Sequence, residues 1–94
     1  MNVRRLVLDV DKAIVRPSVL EIASAIEKVA GVEGVNVTVT EIDLETVGMD
    51  ITIEGESLNY DRIVESIESA GAVVHSVDQI ISGARIVERV PRVR

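Results

Sequence analysis

The sequence lacks cysteine, phenylalanine and tryptophan, and it contains one histidine and one tyrosine. Without thiols, the protein has no disulfide bridges, thiolate zinc sites or cysteine nucleophiles, and a cytoplasmic location is the expectation. Without aromatic rings it has little to stack on exposed bases, and its formal charge of -6 repels the phosphates of nucleic acid. We therefore expect no nucleic-acid partner.

Long apolar runs are also lacking, and we expect no signal peptide. No apolar stretch approaches the roughly 20 residues that a membrane-spanning helix needs, so no membrane partner is expected. The chain nevertheless contains 47% hydrophobic and 28% charged residues, a balance typical of globular proteins. Because 94 residues are too few for two hydrophobic cores, residues 1–94 are expected to form a single domain.

The hydrophobic pattern alternates between a strand period of two and a helical period. The period of two predicts four strands, over 3–12, 34–40, 49–54 and 73–81. The helical period predicts helices over 19–30 and 60–70. Ser18 and Asn59 are the expected N-caps, and Gly31 and Gly71 follow the helices as stop signals.

The order of elements is therefore β-α-β-β-α-β, with an internal echo between EIASAIEKVAG and RIVESIESAG at 21–31 and 62–71. Two split β-α-β halves with right-handed crossovers favour a ferredoxin-like α+β sandwich. Its antiparallel sheet has the strand order 4-1-3-2, with both helices on one face. An unrelated α+β sandwich is the alternative.

The end of the chain, residues 84–94, is basic and has a strand-like composition. It forms either an extra C-terminal strand that pairs with a neighbouring subunit or a frayed terminus.

The stretches GVEGVNVTVTEIDLETVGMDITIEG (31–55) and IVESIESAGAVVHSVDQIISG (63–83), with LVLDV at 6–10, resemble an archaeal family called domain of unknown function 211. The resemblance covers nearly the whole chain. It implies a ferredoxin-like fold, assembly into homo-oligomers and no established activity. It assigns no catalytic residue to any position of this sequence.

The predicted topology gathers carboxylates at one end of the sheet, because strands 1 and 2 end where strands 3 and 4 begin. We call five of these residues the acidic rim: Asp9, Asp11, Glu41, Asp43 and Asp50. Oxygen ligands without a thiol suit Ca²⁺ or Mg²⁺, so the acidic rim is a candidate divalent-cation site. The alternative is a solvated surface that keeps the protein soluble.

Strand alternation predicts that the members of the acidic rim face opposite sides of the sheet. Asp9 and Asp50 are expected on the side without helices, and Glu41 and Asp43 on the helix-covered side. The site would then need a neighbouring subunit to complete it. His75 lies near the same end, on a strand whose facing the local alternation does not determine. It is either a structural histidine or an additional member of the site.

The motifs of common enzyme classes are absent: the sequence has neither a Gly-rich phosphate loop nor a nucleophile with a suitably spaced base. We therefore expect a non-enzymatic, homo-oligomeric module that binds a small ligand or a divalent cation, with tail-to-rim contacts closing a ring. The alternatives are a cation-dependent hydrolase acting from the acidic rim and a purely structural subunit of a larger complex.

Overall fold

The computed structural model describes residues 1–93. Its elements are β1 (Val3–Ala13), α1 (Val19–Glu27), β2 (Val32–Ile42), β3 (Thr46–Gly55), α2 (Tyr60–Ala70) and β4 (Val73–Ser82). The strands form one sheet in the order β2-β3-β1-β4, in which every neighbouring pair is antiparallel. The predicted ferredoxin-like α+β fold and strand order are confirmed.

No helix in this described part of the chain is long and apolar enough to cross a bilayer. Residues 84–93 carry no strand within the single chain, and the pairing of the tail with a neighbouring subunit stays a prediction. Arg94, the last residue of that predicted segment, lies outside the described residues.

Both helices begin at the caps that the sequence predicts. The hydroxyl of Ser18 accepts a hydrogen bond from the backbone N–H of Glu21, and the side-chain oxygen of Asn59 accepts one from Arg62, each at 3.1 Å. These bonds satisfy N–H groups that have no partner inside the helix. α2 ends at Gly71, whose φ of 105° is the left-handed conformation that favours glycine.

α1 is shorter than the predicted helix over 19–30, because it ends at Glu27. The backbone N–H of Val29 bonds to the carbonyl of Ile26 at 3.0 Å, which tightens the chain into a turn with a three-residue step. Apolar residues continue at helical spacing through this turn, so periodicity alone extends the helix too far.

The core lies between the sheet and the two helices, which contact each other. Alternate residues of β1 and β3 face isoleucines of α1 and α2. The fully buried members are Leu6, Leu8, Val10, Ile22, Ile26, Met49, Ile51, Ile53, Ile63 and Ile67. Burying a side chain of this size stabilises a fold by about 1.5–3 kcal/mol, so this pattern fixes which side of each strand points inward. The other side of the sheet, opposite the helices, is called the open face below.

At one end of the sheet, β2 and β3 extend beyond the helices. β2 has 11 residues and α1 has 9, so with rises of about 3.3 and 1.5 Å per residue the strand is more than twice as long. Val39 and Ile42 are consequently 41% and 73% exposed, although their partners on β3 are buried. Residues 39–45, the end of β2 with the following turn, are called the hairpin arm.

Candidate cation site on the open sheet face

Two carboxylates of the acidic rim lie side by side on the central strands. Asp9 of β1 is directly opposite Asp50 of β3 in the strand register. Directly opposed residues have Cβ atoms about 4.5–5.5 Å apart and point to the same side of the sheet. Neither carboxylate forms an ion pair with a basic side chain of residues 1–93. Asp9 and Asp50 therefore form an uncompensated pair of like charges, on the face where we expected them.

A second pair of carboxylates, Asp11 and Glu41, lies two residues closer to the end of the sheet, measured along β3. Gly48 of β3 is paired with Asp11 on one side and with Glu41 on the other. A Cβ built at Gly48 would lie 3.5 Å from Oδ1 of Asp11 and 3.5 Å from Cβ of Glu41. The glycine thus leaves a gap between two acidic side chains on the open face.

The expectation that Glu41 lies on the helix-covered side is wrong. The β2–β3 register shifts between Val39 and Glu41, so that Thr40 is an extra residue in the ladder. Such a bulge re-aims the side chains that follow it. Glu41 consequently pairs with Gly48 and points to the open face, where the hydroxyl of Thr40 donates to the Gly48 carbonyl at 3.3 Å.

Asp43 does not continue the helix-covered side of β2, because it lies in the turn after the strand. Its Oδ1 accepts a hydrogen bond from the backbone N–H of Leu44 at 2.7 Å, and its own N–H bonds to the carbonyl of Thr46 at 2.9 Å. One carboxylate oxygen is therefore engaged in closing the turn. The structure places Asp43 at the tip of the hairpin arm, apart from the two carboxylate pairs.

His75 joins the acidic rim through Asp11. Its Nε2 lies 2.6 Å from Oδ2 of Asp11, in a contact that is an ion pair when the imidazole is protonated. The β1–β4 register shifts at this point, since Asp9 pairs with Ser76 and the next pair is formed by Val74, with His75 as the extra residue. This bulge explains why simple alternation does not determine the facing of His75.

The arrangement offers oxygen ligands in pairs. Within residues 1–93, no three histidine, aspartate or glutamate side chains come close enough together to hold one metal ion. Asp9 and Asp50 supply carboxylates from adjacent strands, whereas Asp11 and Glu41 lie on the two strands that flank β3, on either side of Gly48. Such hard ligands suit Ca²⁺ or Mg²⁺, but a single chain offers fewer of them at one point than a complete coordination shell needs.

A shallow depression of about 550 Å³ extends from this region across β2 and β3. Thr38, Asp50, Thr52 and Glu54 contribute to its lining, so hydroxyl and carboxylate oxygens surround it. Asp50 is shared between the depression and the carboxylate pair. A small polar ligand would find its hydrogen-bond partners here.

At the opposite end of the open face, Arg5 forms ion pairs with two acidic side chains. Its Nε lies 2.7 Å from Oε2 of Glu54, and another guanidinium nitrogen lies 2.8 Å from Oε1 of Glu88. The hydrogen bonds to Glu88 and Glu54 raise the pKa of Arg5, and the hydrogen bond from Arg5 lowers the pKa of the Glu88 carboxyl. The guanidinium of Arg4 also donates to the carbonyl of Ala84 at 3.3 Å. The first part of the tail is thereby attached to the body of the protein.

Lys12 is a polar residue that sequence reasoning missed. It is only 7% exposed and lies on the helix side of β1, where its Nζ donates to the carbonyls of Ala13 and Ile14, both at 3.0 Å. The sequence does contain a pattern that indicates its burial, because Lys12 continues the alternation in which Leu8 and Val10 face inward. The buried ammonium satisfies the carbonyls of the loop that follows β1.

Comparison with known proteins identifies the family. A family model described as uncharacterized ArCR, domain of unknown function 211, matches residues 4–94. The chain belongs to this family. The uncharacterized protein MJ0319 of Methanocaldococcus jannaschii is 42% identical over 89 residues, which are 95% of this chain and 91% of that protein. The resemblance seen in the sequence is confirmed.

Proposed function

We propose that this protein is a non-enzymatic, homo-oligomeric module that binds a divalent cation, Ca²⁺ or Mg²⁺, at the acidic rim on the open face. The observation that carries the proposal is the uncompensated pair of Asp9 and Asp50. Like charges directly opposite each other destabilise a sheet. A divalent cation bound by both carboxylates replaces their repulsion with coordination.

The second pair of carboxylates supports the same function. Asp11 and Gly48 lie two residues, about 7 Å, beyond Asp9 and Asp50 on the same strands, and Gly48 leaves space between Asp11 and Glu41. Thr38 flanks Asp50 on β2, so a hydroxyl is also available beside the first pair. All of these oxygens lie on one side of the sheet.

The incomplete coordination shell supports assembly. Ca²⁺ takes six to eight oxygen ligands, more than either carboxylate pair provides. Water and groups from a second copy of the chain would supply the remainder. Domains of this size also bury only about 60% of their unfolded surface, so contacts between copies add stability.

The openness of the region favours binding over catalysis. A metal-assisted hydrolase requires a shaped site from which bulk water is excluded. The side chains of Asp11 and His75 are 36% and 56% exposed, so they remain in contact with solvent. The cytoplasmic location and the lack of a nucleic-acid partner stay predictions, and the carboxylates on the open face support the second of these.

Titration calorimetry with CaCl₂ and with MgCl₂ tests the proposal. The wild-type chain is expected to bind at least one of the two ions with a dissociation constant below the millimolar range. Asp50→Asn should lose this binding, because it removes one carboxylate of the central pair. Glu65→Gln is the matched control, since Glu65 is an exposed acid on α2, outside the acidic rim. Absence of submillimolar binding by the wild type, or binding that Asp50→Asn retains, would overturn the proposal.

A further inference from the structure

The hairpin arm exposes apolar side chains that the rest of residues 1–93 does not cover. Leu44, at the tip, is 91% exposed, beside Ile42 at 73% and the partly exposed Val39 at 41%. Contiguous exposed apolar side chains of this kind, rimmed by charge, are typical of interaction surfaces. β2 is also an edge strand of the sheet, so one of its two edges has no neighbouring strand.

The charges of the hairpin arm are equally uncompensated. Glu41, Asp43 and Glu45 form no ion pair among the residues that the structure describes. The arm therefore combines a negative charge with an apolar strip, and a complementary partner is basic and apolar.

The end of the tail has that complementary character. After Glu88, which is bound to Arg5, the chain continues as Arg89, Val90, Pro91, Arg92 and Val93. Val90 and Val93 are almost fully exposed. Arg89 and Arg92 form no ion pair within residues 1–93. We call residues 89–93 the tail end.

Val90 of the tail end cannot reach the hairpin arm of its own chain. Arg5 anchors Glu88 near the start of β1, whereas the arm lies level with Ala13, the residue paired with Thr46. Eight residues of strand, about 26 Å, separate Arg5 from Ala13. Val90 is only two residues, at most about 7 Å, beyond Glu88, so it cannot cover Ile42 or Leu44 of its own hairpin arm. A contact between Val90 and the hairpin arm therefore joins different copies of the chain.

We infer that the hairpin arm of one copy binds the tail end of a second copy. Val90 and Val93 cover Ile42 and Leu44, while Arg89 and Arg92 face Asp43 and Glu45. The inference rests on the proposed homo-oligomer and names the surfaces that form it. Since the arm and the tail end lie at opposite ends of the molecule, the contact is head-to-tail and generates a ring or a filament.

Light scattering on the full-length chain tests the inference with variants that leave the folded monomer intact. Leu44→Asp and the double variant Arg89→Glu/Arg92→Glu change exposed side chains, so each should fold yet show a mass close to the 10.2 kDa monomer. Leu20→Asp is the matched control, because Leu20 is an equally exposed leucine on α1. This control should keep the wild-type mass.

Exchanging the two charges of one ion pair tests the contact itself. A variant that only disorders the tail would lower the mass, but restoring opposite charges would not then recover it. Glu45→Lys and Arg89→Glu should each lower the mass when made alone, and a chain that carries both substitutions should recover it, because every contact then pairs opposite charges again. A wild-type oligomer that survives Leu44→Asp and Arg89→Glu/Arg92→Glu, or a chain with both exchanged charges that fails to recover the mass, would overturn the inference and leave the proposed homo-oligomer standing. A monomeric wild type would instead contradict the proposed function itself.

Discussion

The two ends of the open face are formed by the same strands, yet their charges are arranged in opposite ways. At one end, Arg5 lies between Glu54 and Glu88, so the basic group has acidic partners within the chain. At the other end, Asp9 faces Asp50 with no basic partner among residues 1–93. The chain compensates the first end internally, and the second end is suited to a cation from outside.

The largest expected effect on stability comes from removing Arg5, the basic partner of the two acidic residues at the first end. Arg5→Ala leaves Glu54 and Glu88 without their shared partner and releases the tail from Glu88 onward, while Arg4 still binds Ala84. We expect a loss of about 1–2 kcal/mol in the free energy of unfolding, because several charge-assisted hydrogen bonds disappear together. Urea unfolding measures this loss. Arg62→Ala, on an exposed arginine of α2, should change stability by less than about 0.5 kcal/mol; equal losses in the two variants would mean that Arg5 has no special role.

A smaller effect of opposite sign is expected at the second end. In a chelator, Asp50→Asn should stabilise the protein by about 0.2–1 kcal/mol, because it removes the repulsion between directly opposed like charges. Thermal unfolding of the two proteins in the chelator measures the difference. A lower melting temperature for the variant would indicate that the Asp9–Asp50 pair is already compensated without a cation.

The smallest effect is a pH dependence of the tail contact. Arg5 lowers the pKa of Glu88 below its ordinary value of 4.5. A lowered carboxyl pKa means that the contact is fully formed above about 4.5 and is lost as the pH falls through the lower, folded-state value. An NMR titration of the Glu88 side-chain carboxyl should therefore give a midpoint below 4.5, and Arg5→Ala should return the midpoint to the ordinary value of the carboxyl. A midpoint that Arg5→Ala leaves unchanged would contradict the assignment.

The sequence determined the fold well because its periodicities are local and strong. The alternation of Leu6, Leu8 and Val10 and the caps at Ser18 and Asn59 are readable from neighbouring residues, and each is confirmed. The predicted homo-oligomer and the cation stay predictions.

The facing of the site residues was less predictable, because it depends on bulges. A strict period of two assigns Glu41 to the wrong side, since it cannot anticipate the extra residue at Thr40. For the same reason, the alternation did not determine which side of the sheet His75 faces. No local sequence pattern predicts the contact between Arg5 and Glu88, which are 83 positions apart. Long-range contacts of this kind follow from the completed fold.

The central claim is that the carboxylates of the open face bind a divalent cation, and locating the ion tests it most directly. Crystals grown with Mn²⁺, an oxygen-preferring ion with a measurable anomalous signal, would give its position. We expect an anomalous peak at coordination distance, about 2.2 Å, from carboxylate oxygens of both Asp9 and Asp50. A Mn²⁺-saturated crystal with no peak on the open face would contradict the account.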